Sequence, residues 1–455
     1  MENDVIAAVA TPPGAGGIGI IRLSGPGAHA VADSVFRARS GDRLSSIPGY
    51  TARLGDIVAP DGAVIDEAVA LVYRAPHSYT GEDAAELMCH GGETVCAEVL
   101  RAVCDAGARP ADRGEFTRRA FLSGRLSLTE AEAVCDLIGA VSKQGERAAA
   151  ALSHGALRRR TDEIKRGILS VQAHISAYID FPEEDVEAPD PAQLRRSLED
   201  ADAALTALVD SYDTGAHILR GVPTVIVGSP NVGKSTLLNL LAGAEKALVT
   251  PVAGTTRDVV EQRVQLGGTA LLLADTAGLR DSDDLVERLG IERTLERLEE
   301  ASLVLAVFDS SRALDADDRR LIARLAGRNA VAVVNKTDLP TALDTAEIGR
   351  CFSNVVFISA KDPAALAALD AAVRRALGTD ALDPDAPVLA NERQRACAAR
   401  ARGAVREALR ASRDTTLDVV FALLSEALGA LAELSGENVT EAVLDEVFSR
   451  FCVGK

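Results

Sequence analysis

Positive charge is scarce in this chain of 455 residues: 49 Lys and Arg stand against 67 Asp and Glu, for a formal net charge of −18. That balance excludes a broad phosphate-binding surface of the kind that grips nucleic acid without regard to sequence, so any nucleic-acid role needs a local patch or a partner. In the first half the notable basic cluster is Arg158-Arg159-Arg160 with Lys165 and Arg166, and its neighbours Asp162 and Glu163 favour a solvated helix face. Long apolar runs are also missing. No stretch of 18 apolar residues occurs, and Met1-Glu2-Asn3-Asp4 puts no basic segment before an apolar one, so neither a membrane span nor export is expected and a cytoplasmic location is. The seven cysteines, Cys89, Cys96, Cys104, Cys135, Cys351, Cys397 and Cys452, are odd in number and contain no C-x-x-C pair, which argues for reduced thiols over disulfides or a zinc site.

What is present is hydrophobic content of 47%, enough in a chain this long for two or three cores. Up to about residue 120 the pattern mixes short strands and turns. Ile18 to Leu23 reads as a strand, and Asp61-Gly62 as the turn of a hairpin between Asp56-Ile57-Val58 and Val64 to Tyr73. From Ser127 the period becomes helical, with Leu128, Ala131, Val134, Ile138 and Val141 following a Thr129-x-x-Glu132 capping signal. Ile164, Ile168, Val171, Ile175 and Ile179 repeat it until Phe181-Pro182, and Leu417, Val420, Leu424, Ala427 and Leu431 mark a helical face near the end. The fold expected is multidomain, α/β and α+β. An N-terminal α+β domain (1–120) precedes a helical domain in two parts (121–219 and 381–455), into which a third domain (220–380) is inserted.

The inserted segment carries the most specific chemistry. Val225-Ile226-Val227 is a buried-strand run ending at Gly228, and residues 228–235 read Gly-Ser-Pro-Asn-Val-Gly-Lys-Ser. The spacing Gly-x4-Gly-Lys-Ser lets backbone N–H groups from Asn231, Val232 and Gly233 onward wrap an anion at the start of a helix. Lys234 reaches the β- and γ-phosphates, Ser235 ligates Mg²⁺, and Thr236 continues the helix. A second apolar run, Leu271 to Ala274, delivers Asp275-Thr276-Ala277-Gly278, with Asp275 placed toward the Mg²⁺ water shell and Gly278 toward the γ-phosphate. A third, Ala330 to Val334, delivers Asn335-Lys336-Thr337-Asp338. Asp338 accepts two hydrogen bonds from guanine that adenine does not offer, which selects GTP. Ser359-Ala360-Lys361 resembles a further base-contacting loop. The segment is expected to be a P-loop GTPase domain that hydrolyses GTP.

The position after Asp-x-x-Gly is Leu279, which orients no water, so another group must; Glu287 or another acid of Asp281-Ser-Asp-Asp-Leu-Val-Glu287, acting through a bridging water, is the candidate, set against a solvated acidic loop. In Ala253 to Asp258, Thr256 is placed for Mg²⁺ and the γ-phosphate. Asn231 offers a side-chain oxygen for a monovalent cation beside the phosphates, where its charge would stand in for an arginine finger.

Over its full length the chain resembles the MnmE (TrmE) family of bacterial tRNA-modification GTPases. The resemblance runs through Ala10-Thr-Pro-Pro-Gly-Ala-Gly-Gly17, Ile21-Arg22-Leu-Ser-Gly25, Tyr79-Thr-Gly-Glu-Asp83, His90-Gly-Gly92, Gly114-Glu-Phe116 and Arg119-Ala-Phe-Leu122. It continues through Asp180-Phe-Pro-Glu183, Gly254-Thr-Thr-Arg-Asp258 and Asp275 to Leu279, and ends at Phe451-Cys-Val-Gly-Lys455. It implies a homodimer-forming N-terminal domain that binds 5,10-methylenetetrahydrofolate or 5-formyltetrahydrofolate, and K⁺-activated GTP hydrolysis. It implies a heterotetramer or larger complex with an MnmG-type FAD-dependent protein, and tRNA as the molecule modified, at C5 of the wobble uridine, with a carboxymethylaminomethyl or aminomethyl group. By position, Asn231, Thr250, Val252 and Thr255 become K⁺ ligands, Ser235 and Thr256 Mg²⁺ ligands, and Glu287 the water-positioning group. Arg22, Glu82, Arg125 and Lys455 become folate contacts, with Arg125 standing where the family commonly has Lys. Cys452 is a candidate nucleophile toward the base, set against a packing role for the tail. The alternative is a regulatory GTPase acting on ribosome assembly or stress partners.

Overall fold

The computed structural model describes residues 4–180, 187–243, 262–266, 268–273, 298–378 and 385–455. They fall into two compact units, residues 1–135 with 428–455, and residues 136–427.

In the first unit the strands β1 (Ile6–Val9), β2 (Gly19–Ser24), β3 (Phe36–Ala38), β4 (Thr51–Val58), β5 (Val64–Tyr73), β6 (Ala84–Cys89) and β7 (Arg109–Pro110) form one sheet in the order β3-β4-β5-β6-β2-β1-β7. All neighbours are antiparallel except β1 and β7. The expected hairpin is present, with β4 and β5 paired around the turn at Asp61-Gly62. Alternation sets the register: Ala68, Ala70 and Val72 of β5 are buried while the residues between them are less so, as a period of two on a one-sided core requires. The buried face packs with Ile21, Leu23 and Leu87 against α1 (Ala28–Val35) and α2 (Glu93–Asp105), whose Val99 and Val103 are fully buried. Each such side chain contributes about 1.5–3 kcal/mol by leaving water. On the other side Ile6, Ala8 and Phe116 form a smaller cluster with α3 (Glu115–Leu122).

The next helix runs from Leu128 to Ile138. Its capping differs from the sequence expectation by two residues. Ser127 N–H donates to Glu130 Oε2 at 2.6 Å and Glu130 N–H donates to Ser127 Oγ at 3.3 Å, so the reciprocal box is Ser127-x-x-Glu130 and not Thr129-x-x-Glu132. Thr129 and Glu132 are buried inside the helix, and Val141 lies beyond its end. The end of the chain returns to this unit. A helix spanning Glu441–Ser449 sets Leu444, Val447 and Phe448 against Leu128 and Ala131, and Phe121 and Phe448 approach to 6.3 Å between ring centroids. Val453 then pairs with Arg113 in an antiparallel bridge.

The second unit contains long helices and a sheet of β8 (Val222–Val227), β9 (Gln262–Leu266), β10 (Thr269–Leu273), β11 (Leu303–Asp309), β12 (Ala330–Asn335) and β13 (Asn354–Phe357) in the order β13-β12-β11-β8-β10-β9. All pairs are parallel except that with β9, an antiparallel edge. β11 and β12 are buried along their whole length, which is why they read as continuous apolar runs. The helix Ala156–Asp180 buries Ile164, Ile168 and Ile175, as its period predicts, while Ile179 is exposed; Phe181-Pro182 lies outside the described residues. The two helical blocks pack on each other: Arg406 of the helix Glu392–Asp414 pairs with Asp202 of the helix Pro191–Asp210 at 2.7 Å. No described helix is long and apolar enough to cross a membrane.

Candidate functional site

In the sheet order, β10 lies on one side of β8 and β11 on the other, so the crevice beyond the carboxyl end of β8 is the switch point where open α/β sheets take ligands. The loop after β8 fills that position and opens the helix Lys234–Gly243. Two backbone conformations define it. Asn231 has φ 61° and Gly233 φ 101°, and a Cβ at Gly233 would stand 2.2 Å from Asn335 Nδ2, so glycine is required there by space as well as by φ. Val232 is fully buried and anchors the loop, while Asn231, Ser235 and Thr236 are exposed around the helix start.

Lys234 Nζ donates to the carbonyls of Gly228 and Ser229, both at 2.8 Å, which folds the ammonium over the loop. Burial holds that ammonium below the usual lysine range. A phosphate beside it would reverse the shift, so anion binding and full ionisation of Lys234 favour each other. Asn335, 3% exposed, is a brace: its Nδ2 donates to Val232 O at 2.9 Å and its Oδ1 accepts from Ala360 N–H at 2.8 Å. One side chain thus ties the phosphate loop to the loop at 359–361. Asp338 accepts from Ser359 Oγ at 2.9 Å, with Lys361 Nζ at 3.4 Å. The Ser359 hydrogen bond, and then the Lys361 charge, hold its carboxyl below the ordinary range, so it stays a hydrogen-bond acceptor.

Asp309, Arg312 and Asp318 of this crevice were not anticipated. Lys336, at φ 63°, donates Nζ to Asp309 Oδ2 at 2.6 Å; burial opposes ionisation of Asp309, and this bond with those from Ser311 overcomes it. Ser229 Oγ donates to Asp318 Oδ1 at 2.6 Å, and Arg312 Nη1 to Asp318 Oδ2 at 2.7 Å. Asp318 is 2% exposed and also belongs to a capping box with Asp315, which starts the helix Ala316–Leu325. Asp315-x-x-Asp318 was the readable trace of that cap, although nothing local linked it to Ser229. Thr250, Val252, Thr255, Thr256, Asp275, Thr276, Ala277, Gly278 and Glu287 lie outside the described residues.

A second constellation occurs in the first unit. Arg22 on β2 donates Nε to Glu86 Oε1 at 2.8 Å and Nη1 to Gly454 O at 3.2 Å, across 432 positions of sequence. Its guanidinium lies over the Tyr79 and Phe116 rings, 5.9 and 5.8 Å from their centroids. Tyr73 donates to Glu86 Oε2 at 3.2 Å, and burial together with the Glu86 carboxylate pushes its phenol up to about 12. Gly454 has φ 94°, and a Cβ there would meet Val9 O at 2.5 Å. The half-buried Lys455 ammonium sits below its usual range, through burial first and then through the nearby Arg22 charge.

Glu82 accepts from Ser24 Oγ at 2.9 Å and is reached by Arg119 Nη1 at 3.3 Å. Arg119 is in turn fixed by Asp4 Oδ1 at 2.6 Å. Arg125 is exposed, with its charge felt at the Tyr79 phenol. Cys452 presents an exposed side chain, and its carbonyl accepts from Gly114 N–H at 3.3 Å. The one hint of Glu86 and its partners was a lone acid in the apolar run Ala84 to Cys89.

These features sit within matches that cover nearly the whole chain. The model of the MnmE helical domain matches residues 128–452, and that of the GTP-binding protein TrmE N-terminus matches residues 5–125. The tRNA modification GTPase MnmE of Symbiobacterium thermophilum is 44% identical over 459 residues, covering all of both chains. Proteins of the same name from Heliobacterium modesticaldum and Syntrophus aciditrophicus are 43% and 42% identical, again over the whole of both chains. The chain belongs to the MnmE family of GTPases.

Proposed function

We propose that this protein is the GTP-hydrolysing component of a tRNA-modifying complex. The observation that carries the reading is a phosphate loop at the carboxyl end of β8, braced by Asn335, in a chain that matches tRNA modification GTPases from end to end. Lys234 binds the β- and γ-phosphates, Asn231 to Thr236 present backbone donors, and Asp338 with Ser359 and Ala360 selects guanine. Ser235 and Thr256 hold Mg²⁺, which supplies charge neutralisation at the transferring phosphoryl group. The exposed Asn231, at a left-handed turn, is suited to hold K⁺ together with Thr250, Val252 and Thr255. Asp275, Thr276, Ala277 and Gly278 sense the γ-phosphate and Glu287 positions the attacking water.

The N-terminal constellation supports a folate site. Lys455 and Arg22 are like charges brought together at partial burial, an arrangement that an anionic ligand relieves. Arg22, Glu82, Arg125 and Lys455 bind and orient 5,10-methylenetetrahydrofolate or 5-formyltetrahydrofolate, which supplies the one-carbon unit. The exposed Cys452 thiol stands near in sequence as a nucleophile toward the base. The protein acts in the cytoplasm as a homodimer, with an FAD-dependent partner of the MnmG type, and adds a carboxymethylaminomethyl or aminomethyl group at C5 of the wobble uridine. Domain limits near residues 120, 220 and 380 fit this division of labour.

Mass spectrometry of tRNA nucleosides from cells with and without the gene tests the reading. Loss of the C5-modified wobble uridine, restored by the intact gene and not by Asp275→Ala, is expected. An unchanged nucleoside profile in cells without a second route to that nucleoside would leave a regulatory GTPase. Replacing K⁺ by Na⁺ should sharply lower GTP turnover, and equal rates in the two salts would remove the cation role of Asn231.

A further inference from the structure

In a chain of net charge −18, the helix Glu392–Asp414 departs from its surroundings: seven arginines and no lysine stand against Glu392, Glu407 and Asp414, a net +4. Its buried face is formed by Gln394, Cys397, Ala398, Ala401, Ala404, Val405 and Ala408. At about 100° per residue, Arg402, Arg406, Arg410 and Arg413 fall within an arc of about 80°, well away from the centre of that face, along about 16 Å of helix. Arg406 is fixed by Asp202 at 2.7 Å and Thr206 at 3.0 Å. Arg410 and Arg413 are exposed and Arg402 is half-buried, and these three have no hydrogen-bond or ion-pair partner among the described residues. Helices normally balance an exposed basic row with acids at i±3 or i±4, as Arg195 and Glu199 do on the neighbouring helix at 2.7 Å. Here Arg402 and Arg413 have no acid at those positions, and Glu407 and Asp414, three residues before and four after Arg410, make no ion pair with it.

The neighbouring packing makes the row rigid. Ser211 Oγ, at the end of the helix Pro191–Asp210, accepts from Leu389 N–H at 3.2 Å, while Asp202 meets Arg406, so the two helices run antiparallel. The end that carries Arg410 and Arg413 therefore lies toward Arg195 and Arg196, both exposed. Guanidinium groups in place of ammonium groups favour bidentate contacts with phosphate oxygens, and a rigid helix loses little freedom in making them.

We propose that Arg402, Arg410 and Arg413 form a phosphate-contacting row that seats the backbone of the tRNA on the helix Glu392–Asp414. The proposal rests on the tRNA-modifying function above. It gives an acidic protein the local patch that its composition requires for any nucleic-acid contact. The contacts are to backbone and so carry no base recognition.

The test is binding of an unmodified tRNA transcript to the full-length protein by fluorescence anisotropy, at several salt concentrations. The R402A/R410A/R413A variant should bind at least tenfold more weakly, and the slope of log affinity against log salt should fall by about 2–3. Its GTP turnover without tRNA should match the parent, which shows that the fold is intact. The variant R402K/R410K/R413K should keep most of the salt slope. Parent-like affinity and slope in the alanine variant would overturn the proposal while leaving the tRNA function standing. Failure of the parent protein to bind the transcript, alone and with its flavoprotein partner, would instead sink the functional reading on which the proposal rests.

Discussion

The two sheets build their sites in opposite ways. In the second unit, parallel strands, of which β11 and β12 are buried along their whole length, end together, and the groups at their carboxyl ends come from short continuous segments: 228–236 after β8, 335–338 at the end of β12, 359–361 after β13. In the first, a mostly antiparallel sheet with one main apolar face assembles Arg22, Glu82, Glu86, Arg119 and the chain end from positions up to 432 residues apart. A parallel sheet offers backbone N–H groups and a helix start as the ligand cradle, so its chemistry is local and appears as a motif. An antiparallel sheet offers side chains from different strands, so its chemistry depends on register and on what packs over it.

The largest effect that separates the two sites should come from glycine. Gly233→Ala forces a Cβ onto Asn335 Nδ2 and onto an unfavourable φ, and should weaken GTP binding on the order of a hundredfold, measured with a fluorescent GTP analogue. Gly454→Ala meets Val9 O in the same way, and should displace the tail and abolish binding of 5-formyltetrahydrofolate while leaving GTP affinity unchanged.

A smaller effect sharpens the limits of the local site. Asp318→Ala removes the acceptor that holds Ser229 and leaves Arg312 without it, and should raise KM for GTP roughly tenfold. Asp318→Asn, which keeps an acceptor, should recover part of that loss.

Next comes pH. Asp4 and Glu115 resist ionisation through burial, yet hydrogen bonds from Arg109, joined by Arg119 at Asp4, bring both carboxyls below their ordinary values. Their stabilisation is therefore present above the ordinary carboxylate range, about pH 4, and fades as pH falls through the depressed folded values. Acid unfolding of the parent, followed by circular dichroism, should steepen below pH 4, and Arg109→Ala should move that onset to higher pH. The smallest effect is Tyr73→Phe, which deletes one hydrogen bond to Glu86 and should cost about 0.5–1.5 kcal/mol in thermal or urea unfolding.

Legibility in the sequence followed the same division. The strands 225–227, 271–273 and 330–334 were readable because a doubly buried strand is apolar throughout, and the placement of Lys234 and Asp338 because each follows such a run within a few residues. The hairpin at Asp61-Gly62 was readable because its turn chemistry is local. Glu86, Arg119 and Gly454 were not, since nothing in Ala84 to Cys89 announces that Arg22 lies across the ladder on β2. Asp318 was hidden for the same reason: its partner Ser229 is 89 residues away. The cap at residue 127 was misplaced because two overlapping polar-x-x-Glu patterns compete, and only burial of Thr129 and Glu132 decides between them.

The measurement that bears most directly on this two-site reading is a pair of titrations, with a fluorescent GTP analogue and with 5-formyltetrahydrofolate, on full-length Lys234→Ala and Arg22→Ala. Lys234→Ala should lose GTP and keep folate, and Arg22→Ala should lose folate and keep GTP. Retention of parent-like folate affinity by Arg22→Ala, or loss of both ligands by either correctly folded variant, would contradict it.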